Sequence, residues 1–198
     1  MAEIKSTMEL VLERAARMGT ASSDDMEKEE ARKKGMRLAA AFLDGKGEAL
    51  AQVLAAQPPA GQEAVRAGMA EGLLRNLFLP RDEHAIARTE QAARGLIDLA
   101  GGAGDIVTMC QELQHVIGQY QQHREQLKGQ LEEQLRMQME QAMAAQQMGG
   151  GRMDGLGLEN SVQAKVQEEW ARLEGELDGQ YNQALDQYKD QIRLRLGL

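Results

Sequence analysis

The spacing of large apolar residues after position 160 constrains the fold more than any other feature of the sequence. Successive members of this stripe lie 4, 4, 3, 4, 4, 3, 4 and 4 residues apart: Val162, Val166, Trp170, Leu173, Leu177, Tyr181, Ala184, Tyr188 and Ile192. The pattern repeats every eleven residues, or about 3.67 residues per turn, close to the 3.6 of an α-helix. It predicts one long, nearly straight helix over residues 159–196 with a single apolar face.

A second long helix is predicted before it, over residues 105–147, where no proline occurs. Its apolar positions begin as a heptad and continue at steps of four residues: Ile106, Cys110, Leu113, Ile117, Tyr120, Leu127, Leu131, Leu135, Met139 and Met143. At 1.5 Å per residue this helix would be roughly 60 Å long. The glycine-rich residues 148–158 between the two helices predict a loop, so we expect an antiparallel coiled-coil hairpin.

The composition supports an all-α fold throughout. Aromatic residues make up only 3% of the chain and the mean hydropathy is -0.50, so a thick globular core is not expected. Residues 1–101 predict a bundle of short helices, with breaks at residues 19–23, Pro58-Pro59 and Pro80. We therefore predict two domains, the N-terminal helical region 1–101 and the hairpin 105–198 with its loop at 148–158.

Charge and composition exclude several classes of partner. The net charge of -8 predicts no binding to nucleic acid or to anionic lipid surfaces. No apolar run reaches the roughly 20 residues needed to cross a bilayer, and the first residues lack the apolar core of a secretory signal. A single cysteine rules out an intrachain disulfide framework. A cytoplasmic protein without membrane insertion is expected.

Few residues suggest chemistry. Glu112 and His115 form a Glu-x-x-His pair on one helix face, the unit that di-iron bundles use, but those sites need a second such pair and further glutamates. Neither of the other histidines follows a glutamate at that offset. Cys110 lies on the apolar stripe without a neighbour that would stabilise a thiolate, which predicts a buried structural cysteine. We expect no catalytic site, no cofactor and no metal, and keep Glu112 and His115 as weak metal candidates.

Two groups of glycines predict local structure. Gly68 and Gly72 have the Gly-x-x-x-Gly spacing that allows two helices to approach closely, which in this setting predicts packing within the fold. Gly101, Gly102 and Gly104 do not follow a strand and are not followed by Gly-Lys-Ser/Thr, so they predict a helix C-cap and hinge and not a phosphate loop.

Two resemblances add to this interpretation. The opening Ala2-Glu3-Ile4-Lys5-Ser6, continuing into MELVLERA, resembles the start of a small family of uncharacterised bacterial helical proteins, which implies no activity and no functional residues. The eleven-residue repeat resembles that of stator stalks in rotary ATPases and in the related export apparatus. The predicted loop departs from that pattern, because stalk subunits pair long helices from different chains.

The favoured hypothesis is a non-enzymatic helical scaffold or adaptor that self-associates, as a homo-oligomer, or binds a protein partner through its hairpin. The alternatives are a metal- or ligand-binding helical bundle that uses Glu112 and His115, and a stator-like stalk subunit. The residues predicted to form the interaction seam are Ile106, Ile117, Leu127, Leu131, Trp170, Leu177, Tyr181, Tyr188 and Ile192.

Overall fold

The computed structural model describes residues 7–149 and 155–198, with side chains described for 24–141, 144 and 163–198. Within those ranges the chain is helical and contains no strand, which confirms the all-α class. The described residues form six helices: α1 Thr7–Leu43, α2 Leu50–Ala55, α3 Pro59–Leu74, α4 Glu83–Leu99, α5 Gly104–Gly149 and α6 Gly155–Leu196. No helix in the described residues is long and apolar enough to cross a membrane.

The predicted break at residues 19–23 is wrong. Helix α1 runs without interruption from Thr7 to Leu43, where two helices were expected. Glycine, serine and threonine lower helix propensity by only about 0.5–1 kcal/mol each, and the strong helix formers on both sides supply enough backbone hydrogen bonds to carry the helix across. A cluster of weak formers without proline therefore did not end the helix.

The loop predicted at 148–158 is also too long. Helix α5 continues to Gly149 and α6 begins at Gly155, so residues at both ends of that range are helical. Residues 150–154 lie outside the described part of the chain.

Two helices are followed by a glycine in the left-handed conformation. Gly45 and Gly101 have φ angles of 70° and 63°. Residues with a Cβ adopt this backbone conformation only at a cost in free energy. At the second, the Gly101 N–H donates to Asp98 O and the Gly102 N–H donates to Ile97 O, both at 2.9 Å. This pair of bonds is a Schellman motif, and it confirms the C-cap predicted for the Gly101 segment.

Glycines also set the contact between α1 and α3. A Cβ added to Gly68 would lie 1.9 Å from the carbonyl oxygen of Arg32, and one added to Gly35 would lie 2.1 Å from that of Val65. Side chains at these positions would overlap backbone atoms, so the two helices touch backbone to backbone. The close helix approach predicted from Gly68 and Gly72 is confirmed, and it extends to Gly35 on α1.

Short helix α2 receives its N-terminal cap from a distant residue. Its own N-cap residue, Ala49, offers no side-chain hydrogen bond. Instead the carboxylate of Asp98 on α4 accepts the backbone N–H groups of Leu50 and Ala51. Helix N-termini carry unpaired N–H groups and a partial positive charge. The carboxylate accepts hydrogen bonds from these N–H groups, and its negative charge stabilises the positive end of the helix.

The chain divides into two compact units. Unit 1 contains residues 1–77, 88–107 and 192–198, and unit 2 contains 78–87 and 108–191. The division differs from the predicted domains 1–101 and 105–198, because the chain enters each unit more than once. Segment 78–87 belongs to unit 2 with most of the two long helices, although the residues on both sides of it in the sequence belong to unit 1.

The long helices contact each other in antiparallel order. In unit 2, Tyr120 of α5 contacts Tyr181 of α6, while Arg124, one turn further along α5, contacts Trp170 and Glu174, which come earlier on α6. Contact partners therefore have higher residue numbers on α5 where they have lower residue numbers on α6. This order agrees with the predicted hairpin, and pairing beyond Trp170, with coiled-coil packing, stays a prediction.

Candidate interaction surface

In unit 2, a cluster of polar side chains joins the two long helices to segment 78–87, which lies on them as a third layer. The Tyr120 hydroxyl donates to Asp178 Oδ1 at 2.8 Å, and an Nη of Arg81 donates to the other oxygen, Oδ2, at 2.7 Å. Tyr120 is fully buried and neighbouring Leu177 is 7% exposed. Burial, with the hydrogen bond to Asp178, raises the pKa of Tyr120 to about 12. At this level of unit 2, the side chains between α5 and α6 are shielded from solvent.

One turn away, aromatic and charged groups still join the two helices. Arg124 Nε donates to Glu174 at 2.9 Å, and its guanidinium carbon lies 5.5 Å from the centre of the Trp170 ring, a cation–π distance. The Tyr181 hydroxyl and His123 Nδ1 are 2.6 Å apart. These contacts lie where the stretch without buried residues begins on both helices.

Beyond that point the character of both helices changes. We define the distal segments as residues 125–141 of α5 and 163–176 of α6. None of these residues is buried. Most of their large apolar side chains are half-buried, and Met137 is exposed at 46%. The half-buried apolar positions, named here the distal stripe, are Leu127, Leu131, Leu135, Met139, Val166, Trp170 and Leu173.

The geometry of the stripe explains the incomplete burial. On α5 its members follow at steps of four residues, so each lies about 40° further round the helix than the last. From Leu127 to Met139 that drift adds up to about 120°. The α6 stripe drifts by only about 20° in eleven residues. One neighbouring helix therefore covers only part of the α5 stripe.

Ion pairs within each helix are frequent in the distal segments. On α5, Arg136 pairs with Glu133 at 2.7 Å and with Glu140 at 3.4 Å. On α6 the same Glu-x-x-Arg-x-x-x-Glu arrangement recurs, with Arg172 pairing to Glu169 and Glu176 at 2.5 and 2.6 Å. Such pairs at i,i+3 and i,i+4 support a helix without a neighbour.

The nine seam residues fall into three groups. Ile106 and Ile192 are buried in unit 1, and Ile117 and Leu177 are buried in unit 2. The remaining five are half-buried in unit 2: Leu127, Leu131, Trp170, Tyr181 and Tyr188. The seam is thus apolar along its length but divided between the two units, and its role in interaction stays a prediction.

Some buried positions were missed. Leu185 is fully buried, whereas the stripe was drawn through its smaller neighbour Ala184, which is half-buried. A step of four from Tyr181 instead of three reaches Leu185, and side-chain size was the available signal. Leu196, which lies beyond the last residue of the predicted stripe, is buried in unit 1, while Leu194 is 83% exposed.

The metal candidates have no third ligand group near them among the described residues. Glu112 and His115 both lie exposed on α5. Within the described ranges no three histidine, cysteine, aspartate or glutamate side chains come close enough to hold a metal ion. Cys110 is buried, and desolvation raises the pKa of its thiol to about 11, as a structural cysteine requires. The structure therefore offers no support for the metal-binding alternative.

Unit 1 contains a groove of about 560 Å³ between α1, α3 and the residues that follow α6. Its charged lining residues balance one another: Asp25, Glu29 and Glu63 against Lys28, Arg32 and Arg66. Arg32 is already bound to Glu71 at 2.6 Å. Its lining residues therefore do not present a cluster of side chains of one charge that would select a charged ligand.

Comparison with known proteins was made against families, curated proteins and solved structures. A family of unknown function, DUF6657, matches residues 51–194, most of the chain. The chain belongs to this family. No curated protein and no solved structure matches it. The DUF6657 match begins after the residues Ala2 to Ser6, so the likeness of the opening helix stays an expectation.

Proposed function

We propose that this DUF6657 protein is a non-enzymatic helical scaffold that binds a protein, a second copy of itself or a different chain, through its distal stripe. The observation that carries the proposal is that side chains between α5 and α6 are buried in one part of this helix pair and only half-buried in the distal segments. Tyr120 is 0% and Leu177 is 7% exposed, whereas no residue of the distal segments is buried.

Physical reasons favour a protein ligand over a small molecule. The distal stripe is long and shallow, since 17 residues of α5 span about 25 Å. Contiguous half-exposed apolar side chains with polar borders are typical of protein interaction surfaces. Met137 and Met139 add flexible side chains that adapt to a partner. As part of the same proposal, we assign the protein to the cytoplasm; a stator-like stalk would be a special case with an obligate long-helix partner.

The experiment compares affinity purifications from the native cell. The test variant carries Leu131→Gln and Leu135→Gln, which remove two apolar side chains of the stripe without changing charge. The control is Leu194→Gln, which alters an apolar side chain that is 83% exposed and lies outside the stripe. Circular dichroism first establishes that all three proteins have the same helix content.

We expect a stoichiometric partner, or a second copy, with the wild type and the control and its loss from the test variant. Retention of the partner by the test variant would contradict the proposal, and so would recovery of a monomer alone from the wild type.

A further inference from the structure

The chain itself shows how a third segment closes the seam between its long helices. Segment 78–87 joins α5 and α6 in unit 2 and fastens to them through a basic side chain, Arg81, which binds the carboxylate of Asp178 on α6 at 2.7 Å. Where this third segment lies, Tyr120 and Leu177 are buried. The distal segments have the same apolar seam but no buried residue, and segment 78–87 reaches them at Glu125, which lines a cavity together with Pro80 and Ile86.

Charge defines the chemistry of a suitable third segment. The distal segments hold eight carboxylates and four basic side chains: Glu125, Glu132, Glu133, Glu140, Glu168, Glu169, Glu174 and Glu176 against Lys128, Arg136, Lys165 and Arg172. Each of the two arginines is already shared between two glutamates, and Glu174 binds Arg124, which precedes the distal segments. The surface borders an apolar stripe with surplus negative charge.

This charge distribution discriminates between possible occupants. A second copy would bring an equally acidic surface against the first, and like charges across an interface oppose association. A basic helix would place apolar side chains on the stripe and lysines or arginines on the bordering carboxylates, as Arg81 does on Asp178.

We propose that the distal stripe is the docking site for a basic amphipathic helix of another protein. The inference rests on the proposed function and specifies its partner. The helix lies along α5 and α6 as a third layer and covers the part of the α5 stripe that α6 leaves open. A helix of about 17 residues matches the 25 Å length of the distal segments.

Trp170 provides the readout, because it is the single tryptophan of the chain and lies half-buried in the distal stripe. The probe is a synthetic amphipathic peptide of leucine and lysine, about 18 residues long, with leucines at helical spacing. Two control peptides have the same leucine pattern with glutamate in place of lysine, or the same composition with the amphipathic order scrambled. Trp170 fluorescence is titrated with each peptide.

We expect the leucine–lysine peptide to bind and to shift Trp170 emission to shorter wavelength, and the two controls not to bind. Affinity should fall by about tenfold or more in the Leu131→Gln/Leu135→Gln variant, which corresponds to about 1.4 kcal/mol or more. It should stay unchanged in Leu194→Gln. Equal affinity in the stripe variant, or equal binding of the scrambled peptide, would mean that charge alone is recognised and would overturn the inference.

Sedimentation of the full chain without peptide separates this inference from the proposed function. A dimer that is lost in the stripe variant would identify a second copy as the occupant, which overturns the inference and leaves the proposed function standing. A monomer that binds none of the peptides overturns the inference alone, and the affinity purification then decides the proposed function.

Discussion

Replacing Gly68 with alanine tests the α1–α3 contact and, with it, the architecture of unit 1. The new Cβ would lie 1.9 Å from the Arg32 carbonyl oxygen and 3.0 Å from its Cα. Both are backbone atoms on α1, so a side-chain rotation cannot relieve the overlap and the helices must separate by more than 1 Å, roughly the shortfall from normal contact. Separation loosens the buried side chains beside the crossing, Met69 and Leu73.

Two effects of opposite sign set the magnitude. Overpacking of this kind costs typically 1–3 kcal/mol, about the upper end here because backbone must move. Alanine in place of glycine within a helix returns about 1 kcal/mol. We expect a net loss of about 2 kcal/mol or more in the free energy of unfolding, which for a chain of this size lowers the melting temperature by about 4–8 °C.

Gly61→Ala is the matched control. It lies in the same helix, α3, and its Cβ would meet Ala31 Cβ at 4.0 Å, an ordinary contact. That variant should gain up to about 1 kcal/mol. Urea unfolding followed by circular dichroism measures both. If Gly68→Ala proved as stable as Gly61→Ala, the helices could not cross at Gly68 and the reasoning would be refuted.

Three further predictions concern other contacts. Asp98→Ala should destabilise unit 1 by about 1–2 kcal/mol in urea unfolding, because α2 loses its only side-chain cap among the described contacts, and unchanged stability would contradict that role. Cys110 should resist iodoacetamide at pH 8 until the protein is unfolded, since burial raises its pKa to about 11; rapid alkylation of the native protein would show an open site. Tyr120 should ionise near pH 12 by ultraviolet titration, and stability should fall from about pH 10, where an unfolded tyrosine ionises, up to pH 12, with Tyr120→Phe reducing that fall.

The local parts of the fold could be predicted from the sequence because their causes are local. Heptad and eleven-residue spacing placed Leu113, Ile117 and Leu177 correctly on the buried faces of long helices. Glycines predicted the cap at Gly101 and the close approach at Gly68 because each conformation or contact requires the absence of a Cβ. Where local signals were weak, as at residues 19–23, the prediction failed.

The remaining features depend on residues that are far apart in the sequence. Asp98 caps a helix 48 residues earlier, and Arg81 binds a carboxylate 97 residues later. No periodicity reports such contacts, so the third layer formed by segment 78–87 could not be predicted. The half-burial of the distal stripe also needed the structure, because the spacing of apolar residues does not say how much of each side chain a neighbouring helix covers.

The central claim, that the distal stripe binds a protein, is tested most directly by site-specific photo-crosslinking in the native cell. A photoreactive amino acid replaces Met137, an exposed side chain within the distal segments, or Leu194, an exposed side chain outside them. The account predicts a discrete adduct of higher mass from position 137 and none from position 194. Equal adducts from both positions, or none from position 137, would contradict it.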